Sequence, residues 1–106
     1  MKDVTSIQIK QLMSNYALYD EGDQLKHCVG SYAYSCLEGR CTIWSYSRIE
    51  NSESKKLLTI EMNSENVISQ VRGARNRFPT LNEMSHIKKW ALVQKLSISQ
   101  WIVDHV

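Results

Sequence analysis

Hydrophobic positions along the chain follow two periods, separated by polar punctuation. Near the N-terminus Ile9, Leu12 and Met13 recur at helical spacing, which predicts a short helix over residues 5–13. Residues 16–19 read as extended, and Asp20-Glu21-Gly22 reads as a turn. A second short helix is expected over residues 23–29, capped by Asp23 and ended by Gly30; Ser31 caps a third through residue 37, ended by Gly39. The period then shortens. Ile43, Trp44 and Tyr46 mark a strand over residues 41–49, and residues 50–56 form a polar, linker-like stretch. Leu58, Ile60 and Met62 alternate with Thr59 and Glu61 in a second strand over residues 57–62. A turn over residues 63–66 leads to a third strand over residues 67–72, with Val67 and Val71 facing together. After Pro79, Thr80 and Glu83 have the spacing of a capping box and open a long helix. Met84, Ile87, Ala91, Ile98 and Ile102 share its inner side. Trp90 and Trp101 are expected to extend the core. The predicted class is α+β, with short N-terminal helices, a three-stranded antiparallel meander and a long C-terminal helix packed on the sheet.

A length of 106 residues bounds this to a single domain, residues 1–106, and 42% hydrophobic with 23% charged residues is the balance of a globular chain. No apolar run approaches the roughly 20 residues that span a bilayer, and residues 1–6 lack the apolar stretch of a signal peptide. The expectation is a cytoplasmic protein with no membrane partner. Cys28, Cys36 and Cys41 are odd in number and imply no disulfide framework. With His27 they match no common zinc spacing, so neither a metal nor a cofactor is expected. The net charge of +2 does not itself indicate nucleic acid, but its distribution is uneven. Between Glu65 and Glu83 there is no acidic residue, and Arg72, Arg75 and Arg77 all fall there.

That basic segment has a physical logic. Gly73 permits close approach or a positive φ directly after a strand. The three arginines offer forked, permanently charged donors suited to phosphate or carboxylate. Gln70 and Asn76 add neutral donors and acceptors. The glycine spacing and lysine of a P-loop are absent, and Phe78 is the single aromatic nearby, a stacking surface or a core anchor. Upstream, His27 can serve as an acid, a base or a ligand contact, or as a core histidine bonded to a backbone carbonyl. Cys28 is a nucleophile only if a base lowers its pKa; His27 is adjacent and points about 100° away on a helix, so His86 or His105 would have to reach it. Cys28 is otherwise a small buried hydrophobe that positions His27.

The runs Glu21-Gly22, His27-Cys28-Val29-Gly30, Tyr32 and Gly39, followed by Gln70, Arg72-Gly73 and Asn76, resemble the pattern of the PcfJ-like family of conjugative plasmids and other mobile elements. The resemblance covers residues 16–90 and implies a minimal version without the longer N-terminal region of larger members. It implies a mobile-element context and no particular reaction. The leading expectation is a nucleic-acid or nucleotide-phosphate binding domain of a plasmid or phage-type element, with Tyr32, Gln70, Arg72, Arg75, Asn76 and Arg77 on the ligand. A small enzyme using His27 or Cys28 on a phosphate-bearing substrate is the alternative. A protein-binding inhibitor or interaction module is the third, disfavoured by a motif richer in polar groups than in aromatic anchors.

Overall fold

The computed structural model describes residues 5–25 and 41–104, with the backbone alone at residues 5, 101 and 104. The predicted helices over 23–29 and 31–37 fall largely outside these residues, as do His27, Cys28, Gly30, Tyr32, Cys36, Gly39 and His105. Among the described residues no helix is long and apolar enough to cross a membrane.

The class is α+β, but the sheet has five strands rather than three, in the order β1-β2-β3-β4-β5. These are β1 (Thr5–Leu12), β2 (Cys41–Glu50), β3 (Glu53–Asn63), β4 (Val67–Gly73) and β5 (Ser97–Ile98). The first four pair antiparallel, and β5 adds to β4 in parallel. Residues 5–12 are thus a strand, correcting the predicted helix: Ile7 and Ile9 alternate with Gln8 and Lys10, and the period of two prevails.

Residues 16–19 and the supposed Asp20-Glu21-Gly22 turn lie inside one helix, α1 (Asn15–Leu25). Ser14 caps it, its Oγ accepting from Ala17 N at 3.1 Å. Leu18, Glu21, Gly22 and Leu25 form its buried stripe at helical spacing, and Asp23 sits in its last turn rather than capping a new helix. The polar stretch over residues 50–56 is no linker. It belongs to the β2–β3 hairpin, whose tip residues Asn51 and Ser52 take φ of 50° and 69° in a two-residue loop.

The capping box is present: Thr80 Oγ1 accepts from Glu83 N, and the Glu83 carboxylate accepts from Thr80 N. The helix it opens, α2 (Leu81–Gln94), is shorter than predicted. Lys95 ends it in the left-handed region, φ 59°, and the chain turns into β5 and a last short helix, α3 (Gln100–Asp104). Ile102 still reaches the expected core, and Ile98 packs against it, but from separate elements. That core joins α2 to one sheet face and contains Tyr46, Leu58, Ile60, Ile68, Val71, Met84, Ile87 and Ala91. Trp90 meets Trp44 edge-on at 5.2 Å. The opposite sheet face lies under α1, with a smaller apolar cluster of Leu12, Leu18, Cys41 and Ile43.

Candidate functional site: the polar face under α1

Strand alternation sends every second side chain to the α1 side, and there the chain places polar residues where a core would carry apolar ones. The register aligns Lys10, Ser45, Thr59 and Arg72 across β1 to β4 in one row. The adjacent row holds Leu12, Ile43, Glu61 and Gln70. A register shift between Tyr46 and Ser47 skips Leu57 and brings Lys56 opposite Ser47.

Glu21 is the buried centre of this face, fully shielded from solvent. Its Oε1 accepts from Ser45 Oγ at 2.8 Å and its Oε2 from Thr59 Oγ1 at 2.7 Å. Lys56 Nζ lies 2.8 Å from Oε1 and supplies the counter-charge. A buried carboxylate is tolerable only with such a set of partners. Glu21 belongs to the Glu21-Gly22 pair of the motif, and this network fixes α1 on the sheet. Leu25, one helical turn further on, is the last described residue before the segment that carries His27 and Cys28.

The basic segment closes the same face at the edge of β4. Helix α1 packs on β3 and also reaches the 3-10 turn Ala74–Asn76. Arg77 N donates to Ala74 O at 3.1 Å, and both residues between them, Arg75 (φ 55°) and Asn76 (φ 65°), have positive φ. That is a type I′ turn. Gly73 N donates to Arg77 O at 2.8 Å across its base. Gly73 itself is extended, with φ −102°, so of the two predicted reasons for a glycine only close approach applies. The Arg77 side chain covers it, and an added Cβ would lie 2.8 Å from Arg77 Cζ.

The three arginines have different positions. Arg77 donates to both carboxylate oxygens of Glu83, at 2.9 and 3.0 Å, and its own pKa is raised, chiefly by that hydrogen bond. Arg72 lies 4.2 Å over the Phe78 ring, donates to Gln70 Oε1 at 3.4 Å and to Asn76 O at 3.3 Å. Arg75 is exposed at the tip of the turn, with no hydrogen-bond or ion-pair partner among the described residues. Gln70, Arg72, Arg75 and Asn76 therefore share one edge of the polar face, while Arg77 braces the turn against α2. Phe78 is partly exposed beneath Arg72 instead of entering the core.

On the opposite face His86 Nδ1 is 2.7 Å from Tyr46 Oη, so this histidine serves a buried tyrosine and lies across the sheet from α1. Burial, and then the negative charge of Glu83, raise the Tyr46 pKa.

Sequence reasoning put Glu21 in a turn and in the family motif, but not among the site residues. The signal was present: Leu18, Glu21, Gly22 and Leu25 have helical spacing behind Ser14, a good cap.

A family model described as PcfJ-like protein matches residues 1–87, from before β1 into α2. No curated protein and no solved structure matches the chain.

Proposed function

The chain belongs to the PcfJ-like protein family, and on that premise we propose that it is a nucleic-acid or nucleotide-phosphate binding domain of a plasmid or phage-type mobile element. Its ligand edge is Gln70, Arg72, Arg75 and Asn76, with Tyr32 and His27 of the undescribed segment as further candidates. The observation that carries this reading is Arg75. An arginine in the left-handed region sacrifices stability that glycine or asparagine would keep, and Arg75 recovers none of it through a partner among the described residues. Its side chain is exposed at the tip of a hydrogen-bonded turn to which Arg72 also donates, through Asn76 O, and this suits an anion arriving from solvent. Arg77, though part of the same basic run, enters as the brace of that turn.

The test is a titration of the protein with a short oligonucleotide at several salt concentrations. Arg75→Ala is expected to weaken binding and to lower the slope of log K against log salt by about one. Arg72→Ala should weaken it further, because Phe78 and Asn76 lose a partner as well. Unchanged affinity of Arg75→Ala at low salt removes the proposal.

A further inference from the structure

The polar face also holds an open groove of about 500 Å³ between α1 and strands β1 to β3, away from the arginine turn. That volume is within the range of small-molecule sites. Its floor includes one row across the sheet, in which Gln8 stands opposite Ser47 and Ser47 opposite Lys56. An amide, a hydroxyl and an ammonium thus follow one another at intervals of about 5 Å. The helical wall presents Tyr16, Ala17 and Asp20, with Tyr16 82% exposed.

Ser47 distinguishes this groove from a chance depression. It is 6% exposed, lines the groove, and has no hydrogen-bond partner among the described residues. Its neighbour Ser45 is fully engaged, donating to Glu21 and accepting from Lys56 Nζ at 3.5 Å. A hydroxyl that opens on the groove with no protein partner can donate to and accept from a bound ligand.

We infer that this groove binds a small polyhydroxylated ring, either a free sugar or the ribose of a nucleoside. The charges of Lys10 and Lys56 are matched by Asp20 and by Glu21 beneath, which leaves no excess charge to favour an anion. A serine hydroxyl and a glutamine amide both donate and accept, as sugar hydroxyls do. The exposed Tyr16 ring supplies an apolar surface for the C–H face of the ring. None of these residues belongs to the arginine turn, so the inference stands or falls independently of nucleic-acid binding.

The test titrates the full chain with ribose, glucose and adenosine, followed by amide NMR shifts. Saturable shifts at millimolar ligand, centred on residues 45–47 and 16–20, are the expected result. A response to all three assigns a general sugar site, and a response to adenosine alone assigns a nucleoside site. Ser47→Ala should weaken binding about tenfold, the loss of one hydrogen bond, while leaving the melting temperature unchanged or higher. Tyr16→Ala should also weaken binding with the fold intact. The inference is overturned by no saturable shift with any of the three, by shifts elsewhere, or by inorganic phosphate binding there in their place. A Ser47→Ala protein that melts lower would also overturn it, since the hydroxyl would then be structural.

Discussion

The two faces of this sheet are built from the same strands by different physics. Under α2, Tyr46, Leu58, Ile60, Ile68 and Val71 interlock with Met84, Ile87 and Ala91, and what holds them is apolar area and volume. Under α1, Ser45 and Thr59 converge on the carboxylate of Glu21, and what holds them is partner matching. Apolar packing tolerates a neighbour of similar size; a buried carboxylate tolerates nothing that strands its donors. The sharpest way to break the comparison is therefore a conservative substitution on each side. Glu21→Ala leaves Lys56, Ser45 and Thr59 without their acceptor and is expected to cost about 3 kcal/mol in chemical denaturation. The near-isosteric Glu21→Gln should still cost more than Ile60→Val, for which about 1 kcal/mol is expected. A Glu21→Gln protein with the denaturation midpoint of the parent would show that the polar face is no more exacting than the apolar one.

The joint between the two regions is the Arg77–Glu83 pair, which ties the turn on the polar side to the first turn of α2. Burial acts to raise the Glu83 pKa, but the hydrogen bonds from Arg77 and Thr80, with the charge of Arg77, outweigh it and hold the carboxyl below its ordinary value. A carboxyl depressed in the fold contributes stability that is fully present above its unfolded pKa and is lost as pH falls through the folded one. Glu83→Gln should therefore be less stable than the parent by about 2 kcal/mol at neutral pH. The gap should close on acidification below about pH 4.5, the ordinary value. A gap that stays constant down to pH 3 would show that Glu83 acts through shape and not through charge.

The same contrast explains what was legible in the chain. Strands β2, β3 and β4 were readable from their short period, with Leu58 and Ile60 alternating toward the α2 core. A register shift, however, brings Ile68 and not Val67 there beside Val71. The Thr80–Glu83 box announced α2. The elements that build the polar face were misread. A glutamate and a glycine in the buried stripe of α1 look like a turn when only apolar residues are counted as inward. In β1, Ile9, Leu12 and Met13 fit a helical period, although Ile7 and Ile9 face α2 while Leu12 faces α1. The end of α2 was hidden because Lys95, and not a glycine, holds the left-handed cap. The arginine segment was found by its charge, but only the fold separates Arg77, bound to Glu83, from the exposed Arg75.

The smallest expected effect carries the most information about function. Arg75 on the polar side and Lys95 at the end of α2 are both long cationic residues held in the left-handed region, at φ 55° and 59°. Glycine adopts that region without penalty, so either substitution removes backbone strain, offset in part by the greater freedom of glycine in the unfolded chain. Arg75→Gly and Lys95→Gly are each expected to raise stability by about 0.5–1 kcal/mol, read as a higher denaturation midpoint with an unchanged slope. They should part company in binding. Lys95 only closes a helix, its N–H donating to Ala91 O and Leu92 O, and its replacement should leave oligonucleotide affinity alone. Arg75→Gly should gain the same stability and lose affinity, because the strain there accompanies a charge presented to solvent. Equal affinity in the two variants would reduce Arg75 to a second Lys95, an ill-suited residue in a tight turn, and the polar edge would lose its claim to a ligand.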